Sequence, residues 1–124
     1  TTSVLRTVEV DLYTPADGAR ASLVLVPGAA VLGREEPRLR ELARSLARAG
    51  FRVIVPELPG PRRLSLSRAD AESLAEVLRG ADADRPRLPL GIAAVSYGVG
   101  PAIIAALEPD LAGKVDFIVG IGGY

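Results

Sequence analysis

The sequence has 124 residues, 48% apolar and 24% charged, with 15 basic and 15 acidic side chains and a net charge of zero. That length supports one domain with a real core but not two, and the balance reads as a soluble globular chain. Even charge and only five aromatics, 3 Tyr and 2 Phe, give no electrostatic case for nucleic acid or a membrane surface. The lack of cysteine excludes disulfides, zinc–thiolate sites and a thiol nucleophile.

In chain order, Val4 to Tyr13 alternates, with Val8, Val10 and Leu12 on one face and Thr7, Glu9 and Asp11 on the other, which predicts one strand. Thr14-Pro15-Ala16-Asp17-Gly18 is a turn. Leu23-Val24-Leu25-Val26 is a short apolar run, the pattern of a strand covered on both faces. From Glu36 to Ala49, Leu39, Leu42, Ala43, Leu46 and Ala47 recur at helical spacing, and Gly50 follows as a C-terminal cap. Phe51 to Val55 is a second buried strand, closed by Pro56. Ser67 to Leu78 repeats the helical pattern, with Ser67 as N-cap and Gly80 as the stop. Asp82 to Pro89 reads as a loop, and Val115 to Val119 as a last strand. Alternating strands and helices after residue 20 predict a single α/β domain over residues 1–124, a mostly parallel sheet flanked by helices in three layers.

Leu88 to Leu107 carries no charge over twenty residues, near the length of a membrane span. Pro89, Gly91, Gly98, Gly100 and Pro101 interrupt it, so strand, turn and helix describe it better. Asn, Gln, His, Trp, Cys and Met are all missing, and fourteen Arg stand against one Lys. A GC-rich source, a thermophile or a simplified alphabet each accounts for that bias. Thr1 in place of Met reads as a processed, tagged or excised start.

The stretch richest in chemistry is Leu90-Gly91-Ile92-Ala93-Ala94-Val95-Ser96-Tyr97-Gly98-Val99-Gly100. A buried strand runs into one serine and a tight glycine-bearing turn, then into the helical Pro101-Ala102-Ile103-Ile104-Ala105-Ala106-Leu107. Such an elbow lifts a nucleophilic serine out of the end of a parallel sheet. A serine held at a left-handed backbone angle there needs small neighbours, and Ala94 and Gly98 are small. A small serine in a tight turn with no chemistry is the competing reading.

Together with Leu23-Val24-Leu25-Val26-Pro27-Gly28 and Gly50-Phe51-Arg52-Val53-Ile54-Val55-Pro56-Glu57-Leu58-Pro59-Gly60, this stretch resembles the N-terminal portion of an α/β-hydrolase of the dienelactone-hydrolase or esterase-like kind. The resemblance runs from about Leu23 to Tyr124 and implies a sheet truncated before its last strands. It implies Ser96 as nucleophile and the backbone N–H groups of Ala29 and Tyr97 as oxyanion donors. Ala94 stands where the motif usually has glycine, and Pro27 where the family often has histidine. The implied substrate is a small molecule with an ester- or lactone-type carbonyl, and no metal or organic cofactor is implied. The family's acid and histidine follow the serine after later strands. Neither position falls within these 124 residues, and the sequence contains no histidine at all. The isolated chain is therefore expected to be a poor catalyst.

Glu57 follows a strand where relatives often carry Asp, although a solvated or loop-bracing role is the favoured reading. Gly122, Gly123 and Tyr124 could line a pocket, whereas Arg62-Arg63 reads as a solvated pair. Lys114, the only lysine, is expected on the far side, before a strand. The alternative from a different class is a non-catalytic α/β domain that keeps the elbow as architecture. A nucleotide-binding fold ranks lower, since Ile103 takes the third glycine position after Gly98-Val99-Gly100 and the next strand ends without an acid. An open last strand and uncovered apolar surface predict a homodimer or a complementary C-terminal fragment as partner.

Overall fold

The computed structural model describes residues 2–5, 8–26, 37–57, 68–95 and 99–121. In chain order these form β1 (Thr2–Leu5), β2 (Val8–Tyr13), β3 (Ala21–Val26), α1 (Pro37–Arg48), β4 (Phe51–Pro56), α2 (Arg68–Asp84), β5 (Leu90–Val95), α3 (Val99–Ala106) and β6 (Val115–Ile121). One six-stranded sheet has the order β1-β2-β4-β3-β5-β6. β4, β3, β5 and β6 are parallel, while β1 and β2 run antiparallel at one margin.

Apolar alternation explains why the sheet is covered on both sides. Leu23 and Leu25 of β3 join Val53 and Val55 of β4 under α1. Val24, Val26 and Ile54 point the other way, into a larger cluster with Leu74 and Leu78 of α2 and Ala102 and Ala105 of α3. A strand buried on both faces has no polar side, which is why the run at 23–26 is apolar throughout. In α1 the buried Leu39, Ala43 and Ala47 repeat at one-turn spacing. The helix ends at Gly50 with φ of 106°, the left-handed cap expected from its position, and the Gly50 N–H donates to the Ala47 carbonyl at 3.0 Å.

Two expected boundaries moved. The reading of one strand from Val4 to Tyr13 is corrected to two, because Leu5 pairs with Val8 and Thr2 with Asp11 in an antiparallel ladder. The two residues between the paired ends, Arg6 and Thr7, are not the Gly, Asn or Asp that usually mark a two-residue hairpin connection, so the sequence carried no signal of the reversal. Gly80 does not stop α2, which continues to Asp84. Ala81 is fully buried one turn beyond Val77 and Leu78, and extending that buried stripe outweighs the cost of about 1 kcal/mol for an interior glycine. The expected loop therefore begins at Arg85. Ser67, the expected N-cap, lies outside the described residues.

Ion pairs fix α2 to the segment before β6. Arg79 donates through Nε and Nη2 to the two oxygens of Asp110 at 2.6 and 3.0 Å, and Lys114 approaches Asp82 at 3.3 Å. The hydrogen bonds from Arg79 hold the Asp110 carboxyl below the usual carboxylate range. A depressed folded-state pKa contributes stability above the unfolded value and loses it as pH falls through the folded value. Asp110→Asn is therefore expected to lower the melting temperature at neutral pH slightly and to flatten its acid decline. Melting curves from neutral to strongly acidic pH check this, and parallel acid declines for the two proteins would refute it.

Candidate active site at the carboxyl ends of the parallel strands

The connectivity selects one edge of the sheet. β3 leads through α1 to β4 on one side, and β4 leads through α2 across to β5 on the other side of β3. The chain thus winds in opposite directions from β3, with α1 on one face and α2 and α3 on the opposite face. Between the carboxyl ends of β3 and β5 lies the topological switch point, where open α/β sheets form their ligand crevice.

Strand register brings these ends to one level. Val26, the last residue of β3, pairs with Ala94, one residue before the end of β5 at Val95. Ala94 and Val95 pair in turn with Gly120 and Ile121 at the end of β6. Val24 is level with Ile54, two residues short of the ends of both β3 and β4. Ala94 is fully buried on the α2 and α3 face, opposite a fully buried Ala102 at the start of α3. Small side chains at these two positions let β5 and α3 approach closely.

The chemical groups expected at this edge fall between the described elements. Ser96 and Tyr97 belong to the three residues joining β5 to α3, and Ala29 to the connection from β3 to α1; all three lie outside the described residues. So do Arg62, Arg63, Gly122, Gly123 and Tyr124. Glu57 is described and half-buried, and its N–H donates to the Glu9 carbonyl at 2.9 Å, extending the pairing of β2 with β4. Lys114 sits before β6, at the opposite edge of the sheet, as expected. Among the described residues no three or more His, Cys, Asp or Glu gather as metal ligands, and no helix is long and apolar enough to cross a membrane.

A cleft of about 600 Å³ opens at that opposite edge, lined by Thr14, Asp17, Arg20, Arg48 and Gly50 among others. Sequence reasoning missed it. Two glycines at positive φ, Gly18 and Gly50, mark its rim, and each was read as a turn or cap without the two being brought together. Among the described residues lining it there is no nucleophile–base pair, and it lies away from the switch point.

No family model and no curated protein sequence matches the chain. Solved structures do. A dienelactone hydrolase from Anabaena variabilis superposes with a TM-score of 0.76 at 21% identity, over 99% of this chain and 62% of its own. A thermostable carboxyl esterase from Bacillus coagulans gives 0.73 at 17% identity, over 97% of this chain and 42% of its own. An α/β serine hydrolase without a lid from Xanthomonas campestris gives 0.72 at 18% identity, over 97% and 58%. The chain has the α/β-hydrolase fold. It spans less than two thirds of the length of these relatives. The α/β-hydrolase fold accounts for the strand order found here, with an antiparallel margin followed by parallel strands.

Proposed function

We propose that this chain is the nucleophile-bearing portion of a serine hydrolase acting on ester- or lactone-type carbonyls. One observation carries the reading: Ser96 and Ala29 belong to connections that leave adjacent strands, β5 and β3, at the switch point of an α/β-hydrolase fold. In this reading the Ser96 Oγ attacks the carbonyl carbon and its proton passes to a general base. The N–H groups of Ala29 and Tyr97 donate to the oxyanion of the tetrahedral intermediate. Collapse expels the alcohol and leaves an acyl-enzyme, which water then hydrolyses. Since the sequence holds no histidine, the base and its orienting acid come from outside these 124 residues or from another chain.

That same lack of histidine favours a second reading, a non-catalytic α/β-hydrolase-like domain that keeps the elbow as architecture. An external base separates the two. With a fluorophosphonate probe, the hydrolase reading predicts slow modification of Ser96 that imidazole accelerates, mapped by peptide mass, with loss of the adduct in Ser96→Ala. A folded sample that stays unmodified with imidazole, or a Ser96→Ala variant modified equally, would support the architectural reading.

A further inference from the structure

The pairing of β6 with β5 is interrupted once, near its start. Leu90 pairs with Val115 and Gly91 with Phe117, so Asp116 is the extra residue of a bulge. From there the ladder is regular, from Ile92 with Ile118 to Val95 with Ile121. Without the bulge, Asp116 would pair with Gly91 and every later residue of β6 would move one place along β5. Such a slip turns each side chain to the opposite face and shifts the strand by about 3.3 Å.

Two contacts select the bulged register, and both lie within the β5–β6 pair. The Leu90 N–H donates to the Asp116 carboxylate at 2.8 Å. Leu90 is 1% exposed, so its amide needs an acceptor inside the protein, and the bulge assigns that task to a side chain. The second contact is the Phe117 ring, which fills the space a Cβ would take at Gly91. Gly91 is the one residue of β5 without a side chain. In the slipped register Phe117 falls level with the buried Ile92 instead. Asp116 then lies on the α1 side of the sheet, where Ala93 joins the apolar Leu23 and Leu25. Asp116 therefore favours the bulge twice, by the bond it makes there and by the burial it avoids in the slipped register.

The register has its consequence at the far end of the strand. Val95 and Ile121 are level there, and the next residues in the sequence, Ser96 and Gly122, begin the connections that leave the two strands. A slip of one residue carries Ile121 past the end of β5. We infer that Asp116 is a positioning residue for this edge: by taking the Leu90 N–H it holds β6 one residue back. Gly122, and not a β-branched isoleucine, then starts beside the connection that carries Ser96, where small residues are needed. The inference rests on the proposed nucleophile for its effect at that edge, whereas the register stands apart from it.

Asp116→Ala removes the acceptor, and Asp116→Asn keeps an oxygen in its place. By NMR, the unsubstituted protein and Asp116→Asn are expected to show upfield-shifted Gly91 α protons, cross-relaxation between them and the Phe117 ring, and a slowly exchanging Leu90 amide. Asp116→Ala is expected to lose the Gly91 signature and to show the Phe117 ring against Ile92. With the fluorophosphonate probe and imidazole, modification of Ser96 is expected to slow by about tenfold in Asp116→Ala and to be retained in Asp116→Asn. A folded Asp116→Ala that keeps the Gly91–Phe117 contact would overturn the inference. So would an Asp116→Asn that slips as the alanine does, a rapidly exchanging Leu90 amide in the unsubstituted protein, or a slipped Asp116→Ala modified at the full rate. Absence of modification in the unsubstituted protein would count against the Ser96 reading alone, and the resonance signatures would still decide the register.

Discussion

Gly91→Ala is expected to destabilise the fold by about 2 kcal/mol, the middle of the range for forcing a methyl group into occupied space. A Cβ at Gly91 would lie 2.0 Å from Cζ of Phe117, with both Cε atoms also inside contact distance. The outer end of the Phe117 ring occupies the space beside the glycine, because the bulge at Asp116 pairs Phe117 with Gly91. An alanine there has to push the ring outward, which costs its packing without breaking a backbone bond. Removing the ring in the same molecule should therefore recover much of the loss. Urea unfolding of Gly91→Ala, Phe117→Ala and the double variant, all at one protein concentration, forms the cycle. The expected double-variant loss is clearly smaller than the sum of the single losses, and strict additivity would show that the ring does not limit this position.

Arg52→Ala is expected to cost about 3 kcal/mol, in line with removing one partner from a buried charged network. Arg52 is 4% exposed on β4, where it donates to the Ser22 Oγ at 3.0 Å and to Asp84 Oδ2 at 2.6 Å. Burial pushes the guanidinium below its ordinary pKa, while Asp84 acts in the opposite direction. Asp84 is the last residue of α2, where the helix dipole disfavours an anion, so Arg52 also offsets that local cost. Truncation leaves a cavity and a 1% exposed Ser22 without its partner. Asp84→Ala should cost less, since that side chain is 49% exposed and water can take its place beside Arg52. Arg52→Met, which keeps most of the volume, should fall between wild type and Arg52→Ala. Equal losses for Arg52→Ala and Asp84→Ala in chemical denaturation would refute this ordering.

These two sites show what pattern reading could and could not reach. The apolar runs at 23–26, 51–55 and 90–95 announced doubly covered strands, and the stripe through Leu39, Ala43 and Ala47 announced α1, because burial imposes those periods. Arg52 appeared in the sequence only as a charge inside an apolar strand. Its partners are 30 and 32 residues away, and no local period encodes such a meeting. The bulge at Asp116 is invisible for a related reason, since it depends on how β6 registers against β5. Ser96 and Ala29 were read as elbow and loop from the small residues near predicted strand ends, and both lie outside the described residues. The described strands supply those ends at the switch point, and the base is beyond reach because the sequence holds no histidine.

The measurement closest to the central claim is the φ angle of Ser96 in a crystal of this chain, alone or with its partner. The nucleophile-elbow account predicts φ in the left-handed region, with Oγ at the carboxyl edge of β5 and the Ala29 and Tyr97 N–H groups converging beside it. A Ser96 with an extended or right-handed helical φ, its Oγ turned into the packing of α3, would contradict the account.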